Sequence, residues 1–358
     1  LFVISRMSAF TYKNKPTKVR DISREMGVQY VLDGSVRKTD EQLRVAVALI
    51  DATNDRQLWA EQYDRPFTNI FAVQDEIVQR IVTTLNLQLT LWEQGMLVRK
   101  QTNSLEAYDY ALRGVELSFR AAYEAKKDLN AQARRMFEKA IELDPQYAGA
   151  YAGLGKVHYQ DWFYVWSPHP AQSLEEAFQT YKTAVTFDDS LPIAHAILGE
   201  VYLWKKHHDQ ARVEAERAVT LAPSDADSLM YLGSILIFAG EPNRAIGLIE
   251  QAMRLNPRHP PAYLVSLAIA YRVMGRCEEA LVPLQRAAAL APHFLQTRAN
   301  LAMCYAELDR IPEAQAEVAE LGRINPNFSL AWVTQRVPFK DPAIIERMVA
   351  AFRKAGLK

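Results

Sequence analysis

From about residue 104 onward, apolar and small residues recur with helical spacing and are interrupted at regular intervals by short polar stops. Six stretches align by their ends: LDPQYAGAY from Leu143, FDDSLPIAH from Phe187, LAPSDADSL from Leu221, LNPRHPPAY from Leu255, LAPHFLQTR from Leu290 and INPNFSLAW from Ile324. The punctuating residues Pro145, Asp189, Pro223, Pro257, Pro292 and Pro326 are spaced 44, 34, 34, 35 and 34 apart. A period near 34 holds two helices and their turns. Ala211, Ala245, Ala280 and Ala314 open the second helix of their units, and Ala218, Ala252 and Ala287 follow seven residues later. The first helices carry Leu198-Gly199, Leu232-Gly233, Leu267-Ala268 and Leu301-Ala302. Small residues at such positions let a neighbouring helix approach the backbone, and the leucines fill the adjoining gaps. Proline then stops each second helix, because the residue before it is pushed out of the helical region.

This pattern resembles the tetratricopeptide (TPR) family over residues 104–326. The resemblance implies a mainly α, right-handed solenoid of about six helix pairs, and a job of binding protein partners. Asp189 in place of proline weakens one stop, and Leu321 in place of the late-helix alanine predicts looser packing of the last pair. The first unit is longer than 34 residues and matches clearly only at Ala133, Phe137 and Ala140. Residues 327–358 are expected to cap the array. The segment Pro342 to Ala355 places Ile344, Ile345, Met348, Val349 and Phe352 on one side, as a terminal shield requires.

In a TPR array the first helix of each pair lines the concave face. Mapped by the repeat, that face holds Ala196, Glu200, Leu203 and Trp204, then Met230, Ser234, Ile237 and Phe238, then Val265, Ile269 and Arg272, then Ala299, Met303 and Ala306. The Lys and Asn of a carboxylate clamp are absent from these positions. Docking of an apolar helix or extended segment is the expectation, with the alternative that part of the stripe packs between neighbouring helices. The 44-residue spacing adds about ten residues around Trp162, Phe163, Tyr164 and Trp166. That aromatic insert is either a partner hot spot or, the favoured reading, an extended helix pair packing on its neighbours or on the α/β piece.

Residues 1–90 follow a different rule. Val31-Leu32 with Val36, then Leu43, Val45, Val47 and Leu49, then Leu58-Trp59, give three strand-like runs separated by turn residues, which predicts a meander. A helix over Lys18–Met26 stops at Gly27, and another over about Asn69–Leu89 carries Phe71, Ile77, Ile81 and Leu85 on one stripe, with Thr68 as its N-cap. Leu1 to Ile4 reads as a strand without a charged leader, so the chain is expected to be a fragment cut inside a domain. The strings LFVISRMSAFTYKNK, VRDISREMGVQYVLDGSVRK, LRVAVALIDATNDRQLWAEQYDR and IFAVQDEI resemble a TolB-like (FlgO-like) module lacking its first strand and helix. In bacterial signalling proteins such a module often stands between an output domain and a TPR array. The resemblance therefore implies a regulatory segment attached to a class III nucleotidyl cyclase. The alternatives are the sensory arm of a winged-helix transcription activator, and a small-ligand receptor using the α/β piece. A linker over residues 91–103 is expected between the two parts.

Composition changes this picture little. Lys plus Arg and Asp plus Glu balance at 42 each, which steers the chain toward neither nucleic acid nor an anionic membrane. The two cysteines, Cys277 and Cys304, form no CxxC pair, and such sparse use fits a reducing, cytoplasmic setting. No apolar run approaches the ~18 residues of a membrane span. The stretch Gly153-Leu154-Gly155-Lys156 is not a phosphate loop and reads as close helix packing, while His207-His208 lack companions for a metal and His195 reads as a packed core residue. No catalytic motif, cofactor site or metal site is predicted; the expected partner is a protein or peptide segment.

Overall fold

The computed structural model describes residues 3–13, 15–39, 42–66, 68, 70–85, 102–124 and 126–357. The chain divides into two units: Ala9–Leu105, and Leu1–Ser8 together with Glu106–Lys358. A short helix, α1 (Arg6–Phe10), spans the division.

In the Ala9–Leu105 unit, α2 (Val19–Met26) ends on Gly27, whose φ of 66° is the left-handed stop that glycine adopts without strain. Three antiparallel strands follow as a meander in the order β1 (Tyr30–Lys38), β2 (Gln42–Asp51), β3 (Arg56–Pro66). Val36 pairs with Val45 and Val45 with Tyr63, and a bulge shifts the register between Leu49 and Ile50. The alternation read in the sequence sends Leu43, Val47 and Leu49 inward on β2. Val47 and Leu49, with Trp59 and Tyr63, face α3 (Ile70–Thr84) through Val73, Ile77 and Ile81. Val73 is the buried anchor of that stripe, whereas Phe71 is only partly buried. The end of the expected helix, residues 86–89, and residues 91–101 of the expected linker lie outside the described residues. Leu1 to Ile4 was expected as a strand. Residues 3–5 carry no regular structure, and the Ser5 N–H donates instead to the Leu255 carbonyl at 2.8 Å.

The other unit is a stack of helical hairpins. Its pairs are α4 (Leu105–Glu124) with α5 (Lys127–Leu143), α6 (Ala148–Phe163) with α7 (Pro170–Phe187), and α8 (Pro192–Trp204) with α9 (His208–Leu221). Next come α10 (Ala226–Phe238) with α11 (Pro242–Leu255), α12 (Pro261–Val273) with α13 (Cys277–Leu290), and α14 (Leu295–Glu307) with α15 (Ile311–Ile324). From α8 on, first helices have 13 residues and second helices 14. The hairpin turns reuse one left-handed position, at Lys206, Gly240, Gly275 and Asp309. The periodic alanines are all fully buried, and Leu321 is too. The longer spacing around Trp162 is taken up by longer helices, 16 residues in α6 and 18 in α7.

First and second helices differ in how they are buried. On α11 only Ala245, Ile249, Ala252 and Leu255 are buried, one stripe of an amphipathic helix. On α10 eleven of the 13 residues are buried, around the whole circumference. Such a helix needs cover on its concave side as well as against its neighbours. Two more helices, α16 (Leu330–Arg336) and α17 (Pro342–Lys354), supply part of that cover.

His195 ties one hairpin together. Its Nδ1 lies 2.6 Å from a Glu214 oxygen and its Nε2 2.8 Å from the Asp189 carbonyl. Burial opposes the charged ring, but these two acceptors outweigh it and raise the pKa above the ordinary 6.5. A raised pKa contributes stability that is full below about pH 6.5 and fades as pH rises through the folded value. The stability difference between the wild type and His195→Gln, measured by urea midpoints, is therefore expected to shrink as pH rises above neutrality. A difference that stays constant with pH would show that the ring is neutral.

Close helix approach gives a second test. A Cβ at Gly199 would sit 2.8 Å from the Ala211 carbonyl oxygen, whereas one at Gly247, inside α11, would meet nothing. Gly199→Ala should cost about 1–3 kcal/mol by overpacking, and Gly247→Ala should add roughly 0.5–1 kcal/mol through helix propensity. Equal effects in chemical denaturation would contradict this packing.

Candidate functional site

The candidate site is the concave side of the hairpin stack, formed by the inner faces of α6, α8, α10, α12 and α14. It is not an open stripe. From one direction it is covered by the end of α6. Trp162 packs on Trp204 with ring centroids 4.9 Å apart, and Phe163 and Tyr164 lie 5.9 and 5.5 Å from Phe294 at the start of α14. Gln296 donates its Nε2 to the Phe163 carbonyl at 3.0 Å across 133 residues of sequence. From the other direction come α16 and the turn after it. The Arg336 guanidinium is held between the rings of Trp162 and Trp332, 4.6 Å from each centroid, and donates to the Trp162 carbonyl at 3.3 Å. Burial pulls Arg336 down to about 10, which still leaves it charged at neutral pH. Phe339 then seats on Phe238 at 4.6 Å, while the Lys340 N–H donates to the Phe238 carbonyl. Arg347 on α17 donates to the carbonyls of Arg272 and Val273, the negative end of α12.

Two cavities remain beneath this cover. The first, about 110 Å³, is almost wholly apolar and lies among Trp204, Phe238, Ile269, Met303 and the C-terminal aromatics. Arg272, 1% exposed, borders it; burial lowers its pKa, and its partners are Asn300 Oδ1 at 3.1 Å and Glu307 at 3.6 Å. Glu307 also accepts from the Cys277 thiol at 3.1 Å, and the neighbouring Cys304, then burial and Glu307, push that thiol far up, away from thiolate chemistry.

The second cavity, about 130 Å³, is chemically richer. Glu200, 3% exposed, projects from α8 into a wall of aromatic residues. Burial raises its pKa, against the pull of Ser234, Trp204 and Tyr159. Trp204 Nε1 donates to it at 2.9 Å and the Tyr159 hydroxyl at 3.3 Å. Asp227 on α10 accepts from the Tyr263 hydroxyl, and Lys156 on α6 stands over the Phe119 ring with its Nζ 4.2 Å from the centroid. Burial lowers the Lys156 pKa, with Asp227 and Asp225 opposing the shift from a distance.

The structure thus sorts the residues mapped from the repeat. Glu200, Trp204, Met230, Ser234, Phe238, Val265 and Ile269 line the polar chamber. Arg272, Ala299 and Met303 border the apolar cavity instead. Ala196, Leu203, Ile237 and Ala306 are buried at 0–1% exposure between helices and line neither. Of the aromatic insert, Trp162, Phe163 and Tyr164 are built into the cover, and Trp166 stacks outside on Tyr164. Asp227 and Asn256 were not singled out by sequence, and Lys156 was read only as part of a close-packed stretch. Lys156 does occupy the position after Leu154-Gly155 that Glu200 and Ser234 hold after their own Leu-Gly pairs, so the repeat itself points to it. Among the described residues no group of three or more His, Cys, Asp or Glu could hold a metal ion, and no helix is long and apolar enough to cross a membrane.

Comparison with known proteins places this geometry. The family description "Tetratricopeptide repeat" matches residues 120–192 and residues 274–335. A putative adenylate cyclase 3 of Rhizobium meliloti (strain 1021) is 37% identical over 211 residues, 59% of this chain and 35% of that protein. Anaphase-promoting complex subunit 6 of Arabidopsis thaliana is 26% identical over 183 residues, 49% of this chain and 31% of its own. The chain thus spans about a third of the length of these relatives. Among solved structures, the APC/C hetero-tetramer Cut9–Hcn1 is similar with a TM-score of 0.49 at 18% identity, over 78% of this chain and 54% of the other. The matched hairpins are tetratricopeptide repeats, the unit from which protein-interaction domains are built.

Proposed function

We propose that the chain is the non-catalytic regulatory and partner-binding region of a bacterial signalling protein whose output is a class III nucleotidyl cyclase. The observation that carries this reading is the 37% identity to a putative adenylate cyclase over 211 residues. Two further features support it. The TolB-like strings of residues 1–77 resemble modules that accompany such arrays in signalling proteins, and residues 120–192 and 274–335 match tetratricopeptide repeats. On this reading the repeats receive a protein segment in the cytoplasm, and the segments 1–90, 104–326 and 327–358 are the regulatory parts.

The concave face is covered by the chain's own Trp332, Arg336 and Phe339, so a partner segment that enters there must replace them. An amphipathic segment carrying aromatic and arginine side chains has the matching chemistry.

The test uses the native full-length protein from which this chain derives. That protein is expected to form cyclic nucleotide, and deletion of residues 104–358 is expected to leave turnover measurable while changing its basal rate at least severalfold. The isolated chain should give no turnover. A full-length protein that binds DNA and forms no cyclic nucleotide would replace this reading with that of a transcription activator's sensory arm.

A further inference from the structure

We propose that the chamber between α4, α6, α8, α10 and α12 is a binding site for a small zwitterion with an apolar body, of the chemical class of a free α-amino acid. This goes beyond partner binding and does not depend on it.

Lys156 makes the first case. Its ammonium has no hydrogen-bond acceptor and no ion-pair partner among the described residues, and its Nζ stands over the face of Phe119, 4.2 Å from the ring centroid. The residue is partly buried, and an ammonium held against an aromatic wall without an acceptor adds little to a fold, so packing alone does not account for it. Asn256 makes the second. It is fully buried at the end of α11, where the Ser8 hydroxyl donates to its Oδ1 at 2.6 Å and itself accepts from the Arg258 N–H at 2.9 Å. That arrangement assigns Oδ1 to Ser8 and leaves Nδ2 as a donor on the chamber wall. Nδ2 finds no acceptor in hydrogen-bonding geometry, although it lies near enough to the Tyr263 hydroxyl to influence it. A cation and a buried amide donor, both without acceptors, fit a carboxylate.

The same chamber holds two carboxylates. Asp227 is oriented by the Tyr263 hydroxyl and Glu200 by Trp204 and Tyr159. Against one lysine they give the lining two acidic groups. A simple anion would face Asp227 and Glu200, and a simple cation would face Lys156. A ligand carrying both charges meets both needs at once. Between the charged groups the walls are apolar, including Phe163, Met230, Phe238, Val265 and Ile269. The free volume, about 130 Å³, is close to that of cavities that take up one benzene-sized molecule, ~150 Å³. That suits an amino-acid side chain and excludes a helix.

The experiment screens the standard L-amino acids against the full chain by thermal shift and calorimetry. For each binder the deaminated acid and the decarboxylated amine are measured beside it; for L-leucine these are 4-methylpentanoate and 3-methylbutylamine. At least one amino acid with an apolar side chain should bind, with both analogues weaker by about tenfold or more. Lys156→Met should abolish binding while leaving the ligand-free Tm unchanged or raised, because it removes a partly buried charge that has no acceptor. Asp227→Asn should reduce the amino acid to the affinity of its deaminated analogue. The proposal is overturned if no amino acid binds at millimolar concentration. It is equally overturned if either analogue matches its parent, or if Lys156→Met lowers the ligand-free Tm as loss of a structural residue would.

Discussion

A helix that is apolar around its whole circumference has to be enclosed on every side, and that constraint governs the larger unit. In α10 the side chains on three flanks meet α9, α11 and the adjoining first helices, as the small residues of each hairpin allow. The fourth flank, facing the inside of the curve, has no helix of the repeat to cover it. The chain supplies the missing surface itself, with the aromatic end of α6 from one direction and Trp332 to Phe339 from the other. The guanidinium of Arg336 between two indole rings joins the two covers.

The charged chamber is what this enclosure leaves over. Cover built from rings and one planar cation excludes water from the inner face without filling it. Groups that would be ordinary on an open surface become costly there. Glu200 is tolerated because an indole N–H, a phenol and Ser234 surround it. Lys156 has no such support. Natural folds accept unsupported charge mainly where function uses it, which separates this lysine from the many surface ion pairs of the second helices.

The repeat was legible because it is local. Spacings of 34, periodic alanines and the Leu-Gly steps are set within one hairpin, and the structure places six helix pairs where they predict. The strand meander was legible for the same reason, through the alternation of Leu43, Val45, Val47 and Leu49. Of the strand expected at Leu1 to Ile4, Leu1 and Phe2 lie outside the described residues and Val3 and Ile4 pair with no strand; four apolar residues say nothing about a pairing partner, and Ser5 bonds to the end of α11. The concave residues were only half legible. Their register follows from the period, but their exposure depends on contacts between residues 133 to 174 apart, such as Gln296 with Phe163 and Arg336 with Trp162. No window of sequence records those contacts. Lys156 was read as packing together with its neighbours Gly153 and Gly155, which do pack: each lies against an aromatic ring.

The long-range seam between α6 and α14 changes what kind of object the array is. An open solenoid behaves like a chain of links, each held by the next, and can melt from either end or part in the middle. Here links far apart in the order are fastened to one another, so loosening one region strains another across the curve. Such a ring-like arrangement favours a single concerted melting step over gradual fraying. It also gives an occupant of the interior mechanical leverage on hairpins it never touches.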